Sequence, residues 1–89
     1  MKMYKFKPDA KDQIDHAGVK QIDLARKASY DRHELNKKIA RGGNIRPSTA
    51  NSVAATFAVL ANEKRIQRGE AATWSQETAL TTLFEEFER

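Results

Sequence analysis

The chain has no cysteine among its 89 residues. A disulfide framework and any thiolate-based metal or catalytic site are therefore excluded. Glycine and proline are scarce, four and two respectively, which excludes collagenous or low-complexity organisation. Long apolar runs are also missing. The uncharged stretch at residues 47–62 has only Val53, Phe57, Val59 and Leu60 as larger apolar residues, far short of the ~20 that span a bilayer. The opening segment MKMYKFKPDAK is basic but lacks the apolar core of a signal peptide. The expectation is a cytoplasmic protein (on the nucleoid if the source is bacterial) with no membrane partner.

Catalytic signatures are absent too. There is no nucleophile–base pattern, glycine-rich phosphate loop or H-E-x-x-H spacing. No enzymatic activity, cofactor or small-molecule substrate is expected. Asp12, Asp15 and His16 stand at helical spacing, but such a set on an exposed helix is ordinarily solvated, and no metal site is expected.

Charge is what the chain has in quantity, and it is unevenly placed. Residues 1–46 hold 12 Lys/Arg against 6 Asp/Glu, whereas residues 47–89 hold 4 against 6. Between Arg26 and Arg46 the basic side chains outnumber Asp31 and Glu34 heavily. A concentrated basic segment on a small domain suits a polyanionic partner. Length allows one domain, 1–89, with a small core.

The apolar spacing predicts helices joined by short turns, an all-α domain of about five helices. Asp9 is a candidate cap for a first helix ending near Ala17–Gly18, with Ala10, Ile14 and Ala17 on one face. A second helix begins near Gln21 and is interrupted by Ser29-Tyr30-Asp31. Asp31 caps a third, running from Arg32 to about Arg41, with Glu34 as a capping-box partner and only Leu35 and Ile39 as large apolar residues. Gly42-Gly43-Asn44 stops it. Ser48 is read as the cap of a fourth helix, whose buried stripe is Val53, Phe57 and Leu60, and which ends by Gly69. A last helix starts near Thr73–Ser75 and carries Leu80, Leu83, Phe84 and Phe87 at 3–4 spacing. Met3 to Lys7 alternates enough to be a short edge strand or else a basic arm. Ile14, Leu24, Leu35, Ile39, Val53, Phe57 and Leu60 are expected to share one core.

Two short helices joined by a tight turn, the second basic and nearly bare of large apolar residues, is the helix-turn-helix design. A helix that enters DNA keeps one anchoring row, here Leu35 and Ile39, and presents the rest of its surface. Arg32, His33, Asn36 and Lys37 are the base-reading candidates, because Arg and Lys pair with guanine and Asn with adenine in the major groove.

At these residues the sequence resembles a family. Gly18-Val19-Lys20-Gln21-Ile22-Asp23-Leu24-Ala25 is similar to the G-L-S-Q-x-x-L-A stretch of phage lambda repressor/Cro-type helix-turn-helix domains. Asp31-Arg32-His33-Glu34-Leu35-Asn36 resembles the S-R-S-T-I-S start of their recognition helix, and Asn44-Ile45-Arg46-Pro47-Ser48 the N-P-S that opens the next helix. The likeness covers about residues 9–61, with the motif itself at 20–41. It implies a lambda-repressor-like fold with an extra C-terminal helical extension over 62–89. It also implies sequence-specific binding to double-stranded DNA and transcriptional regulation by occupying an operator. Gln21 then touches a phosphate, and Lys20, Tyr30, Lys38, Arg41 and Arg46 are further phosphate or positioning candidates. The chain departs from the pattern at Ser29, where the family prefers glycine, and at Lys38, where an apolar residue is usual. The stretch from Leu35 to Pro47 is about two residues longer than usual.

Dimers on palindromes are the common way for one motif to read a longer site. Trp74, Leu80, Leu83, Phe84 and Phe87 are the candidate homodimer surface. The rival reading is a helical protein-interaction module that keeps the scaffold without binding DNA.

Overall fold

A computed structural model describes all 89 residues. The chain runs β1 (Lys2–Phe6), α1 (Ala10–His16), α2 (Gln21–Lys27), α3 (Arg32–Arg41), α4 (Pro47–Gln67), α5 (Gln76–Leu83) and β2 (Phe84–Glu88).

The all-α expectation is corrected by a two-stranded antiparallel sheet made from the two ends of the chain, with Met3 opposite Phe87, Lys5 opposite Glu85 and Phe6 opposite Phe84. The last helix does not run on through Phe87; it stops at Leu83, and the chain is extended from Phe84 onward. The physical reason lies in the ambiguity of Phe84-Glu85-Glu86-Phe87-Glu88. Its phenylalanines continue the 3–4 stripe of α5, yet its carboxylates would crowd a helix C-terminus, where the dipole is unfavourable. In the strand they face lysines instead: Lys2 Nζ lies 3.0 Å from Glu86 and Lys5 Nζ 3.6 Å from Glu85. Only the N-terminal strand, distant in sequence, offers that partner. Glu86 accordingly raises the Lys2 pKa, first through a hydrogen bond and then through its charge.

The sheet lies over the helices through alternate residues, as its twofold side-chain period requires. Tyr4, Phe6 and Phe84 face the core, with the Phe6 and Phe84 rings 4.4 Å apart. On its other edge β1 exchanges backbone hydrogen bonds with Ile45 (2.9 and 2.7 Å), which ties the loop after α3 to the sheet.

The core is centred on α4. Phe57, Ile14, Leu24, Leu35, Leu83 and Val53 are its largest fully buried side chains. Ile39 is half-buried at its margin. Ala50, Ala54, Ala58 and Ala61 on α4 are buried as well and let neighbouring elements approach closely. The start of α4 differs from the Ser48 cap expected of it. Pro47 is its first residue and Arg46 its cap position, with no side-chain capping bond. A proline's fixed φ and missing N–H suit the first helical position, so it displaces the serine into the helix. Farther on, the Asn62 side chain donates to the Trp74 carbonyl and accepts from its N–H, both at 2.9 Å. This clamp sets the Trp74 ring edge-on to Phe57, 5.1 Å between centroids. Ser75 and Thr78 then form a reciprocal capping box that starts α5.

Candidate nucleic-acid interface

Helices α1, α2 and α4 end in the same way. In each, the residue two past the last helical one takes a positive φ, and it and its successor bond back to the last turn, the Schellman arrangement. Gly18 (φ 78°) serves after α1 and Gly69 (φ 79°) after α4. After α2 the position is filled by Ser29 at φ 55°, with Ser29 N–H on the Arg26 carbonyl (3.2 Å) and Tyr30 N–H on Ala25 (2.9 Å). This turn directs the chain from α2 into α3. A side chain at such a φ is strained by roughly 1–2 kcal/mol, so the corner between α2 and α3 holds its shape against a local preference.

Asp31 then starts α3. Its carboxylate accepts from the N–H groups of His33 (2.7 Å) and Glu34 (3.2 Å). The expected return bond from Glu34 is not made. Its carboxylate lies 4.0 Å from Lys37 instead, an exposed pair of little energetic weight.

Leu35 is the one fully buried residue of α3. At about 100° per residue, the side opposite Leu35 and Ile39 carries His33, Lys37, Ala40 and Arg41, all exposed. Arg32 is exposed because it opens the helix, but by rotation it belongs to the row of Ile39 and not to that of Lys37. Asn36 is half-buried on the flank, and its Oδ1 is shielded from solvent without a hydrogen-bond partner. The four base-reading candidates therefore divide: His33 and Lys37 on the open face, Arg32 at the tip, Asn36 turned partly inward.

The positioning candidates are dispersed more widely. Gln21 is half-buried at the start of α2. Lys20 is exposed, lining a cleft of about 290 Å³ between α2 and α4 with Arg26, Lys27 and Lys64. Lys38 is turned toward the loop after α3, its ammonium donating to the Asn44 carbonyl at 3.3 Å. Arg41 and Arg46 are exposed. Tyr30 is half-buried; burial, followed by the charges of Glu34 and Asp31, raises its pKa, so the phenol stays protonated and its hydroxyl can donate. Tyr30 shares a groove of about 180 Å³ with Ser29, Ser48, Thr49 and Ser52. This hydroxyl-lined seam between the turn and the first turns of α4 was not legible in the sequence, because it joins residues about twenty apart.

Of the basic residues from Arg26 to Arg46, only Lys37 has a carboxylate within 4.0 Å; elsewhere Lys2, Lys5, Arg65 and Arg68 are ion-paired and Lys7, Lys11, Lys20, Lys64 and Arg89 are not. Apart from Lys37, the cations around α3 thus have no carboxylate within 4.0 Å.

The candidate dimer stripe is spent largely inside the chain. Leu83 and Phe84 are buried, and Trp74 packs on Phe57. Leu80 and Phe87 are half-buried along an open groove beside β1. No helix is long and apolar enough to cross a membrane. In comparisons with family models, curated proteins and solved structures, the chain matches none.

Proposed function

We propose that the chain binds double-stranded DNA through α2 and α3, with α3 in the major groove, and regulates transcription by occupying its site. The observation that supports this most is α3 itself. It is anchored by one buried leucine and presents an exposed basic surface on which only Lys37 has a carboxylate within 4.0 Å, in a solvent-exposed pair of little weight. A major groove about 12 Å wide admits such a helix, and its phosphates reward unneutralised cations. His33 and Lys37 are the base-facing residues, Arg32 reaches from the tip, and Gln21 and Arg46 lie beside the phosphates. Leu80 and Phe87 are the part of the apolar stripe left for a second copy on a symmetric site. Such a role belongs in the cytoplasm.

The test is selection of bound duplexes from random sequence, followed by isotherms on the selected and a scrambled duplex. Lys37→Ala should weaken the selected duplex by about 1–3 kcal/mol and the scrambled one by less. Equal losses on both would make Lys37 a phosphate contact. No salt-dependent binding to any duplex would remove the proposal.

A further inference from the structure

We infer that the DNA surface continues past the end of α3 into a groove where Lys5 and Lys7, from the N-terminal segment, join Arg41 as a seat for the phosphodiester backbone. This rests on the DNA-binding reading above and extends it to a part of the chain outside the helix-turn-helix. The groove has a volume of about 490 Å³ and lies between β1, the residues that follow it and the C-terminal end of α3. Its floor includes Phe6 and Ile39, and its charged rim is Lys5, Lys7, Arg41 and one carboxylate, Glu85.

The sign of the charge at this place is a balance. The C-terminal end of a helix carries the negative end of its dipole and by itself repels phosphate. Arg41 and Lys38, in the last turn, offset that. Lys7 and Arg41 have no carboxylate within 4.0 Å, and the Lys5–Glu85 pair at 3.6 Å is solvent-exposed on both sides. Such a pair is weak enough for a phosphate to compete for the lysine. Lys38 adds a further cation, lying over Gly43 so closely that a Cβ there would stand 2.9 Å from its ammonium.

The backbone of the rim is also suited to close approach. Gly42 and Gly43 adopt φ of 79° and 125° and present no side chains. The Gly43 N–H donates to nothing within the chain. Backbone N–H groups beside cations are frequent phosphate contacts. A ten-residue helix is about 15 Å long, slightly more than the width of the major groove, so its end emerges beside a phosphate strand. The groove lies at that end.

The experiment uses the full chain and fluorescence anisotropy on labelled random-sequence duplex DNA of about 40 base pairs, between about 50 and 200 mM salt. Lys7→Gln and Arg41→Gln are each expected to lower the log–log salt slope by about 0.9, and the double variant by about twice that. Lys11→Gln, an exposed α1 lysine outside the groove, should leave the slope close to that of the parent chain. Lys5→Gln should act like Lys7→Gln despite losing its ion pair, and circular dichroism should show all five variants folded. If the groove variants match Lys11→Gln while Lys37→Ala still weakens binding, the groove is overturned and the α3 reading stands. If the parent chain shows no salt-dependent binding, both fall together.

Discussion

Helix α3 buries one residue completely, Leu35, whereas α4, which begins six residues after α3 ends, buries seven, from Ala50 to Ala61. The two differ in what holds them. α4 is fixed by contacts on a broad face against α5, α2 and β1, and needs no side-chain cap. α3 is fixed by a single anchor, an Asp31 cap and the turn at Ser29. A helix secured at so few points keeps most of its surface for something outside the chain, and it does so without leaving a large apolar area in water. The contrast is sharpened by α4's own exposed apolar residues, Val59 and Ile66. They sit on a helix already secured by its buried face, so their exposure carries no comparable demand.

The comparison can be broken most forcefully at its centre. Phe57→Ala is expected to destabilise the fold by about 3–5 kcal/mol, because the ring is fully buried among rigid neighbours and loses its contact with Trp74. Urea unfolding measures this, and a loss below about 1 kcal/mol would mean that α4 is not the pillar described. Leu35→Ala should cost about 2–4 kcal/mol in the same assay and release α3 from α2. An unchanged melting temperature would show that α3 is held by something other than its anchor. Asp31→Ala should cost about 1 kcal/mol, since two N–H groups lose their acceptor. The matching change at Arg46→Ala should have almost no effect on stability, because that position makes no capping bond.

Ser29→Gly runs in the opposite direction. Relief of the left-handed strain, less the extra chain entropy of glycine, should stabilise the fold by about 0.5–1 kcal/mol. Thermal unfolding that moves downward instead would indicate that the Ser29 hydroxyl is needed in the groove it lines. The smallest effect concerns pH. Folding raises the Tyr30 pKa, so its contribution is intact below the ordinary tyrosine value and is lost as pH rises through the folded one. Tyr30→Phe should flatten the alkaline fall in stability and leave neutral-pH stability within about 0.5 kcal/mol. An equally steep alkaline fall in both proteins would assign it to other groups.

Much of this arrangement is written in local pattern. The Asp31 cap, the Leu35–Ile39 row of α3, the Phe57 stripe and the break between α2 and α3 depend on residues within one or two turns of each other. Helical spacing and capping chemistry therefore expose them directly. The positive φ at Ser29 is expected only through the resemblance, which puts a glycine at that turn; no local spacing carries it. The basic segment is visible as composition alone.

Only the tertiary structure decided the rest, and the reason is distance along the chain. Residues 84–88 continue the helical stripe of α5, and the choice falls to strand because Lys2 and Lys5 arrive from the other terminus to face Glu86 and Glu85. That one pairing buries Phe84 and leaves little of the expected dimer stripe. It also carries Lys5 and Lys7 to the end of α3. The Glu34–Lys37 pair follows from helical spacing, but whether Lys2 and Lys5 are paired is a matter of which carboxylates fold within reach. Sequence by itself determined that five helices form, the Asp31 cap and the positive half of the molecule, but not the Ser48 and Asp9 caps or the end of the last helix. Long-range pairing determined which of those charges remain available and which face they share, because both depend on contacts between segments that meet only once the chain has folded.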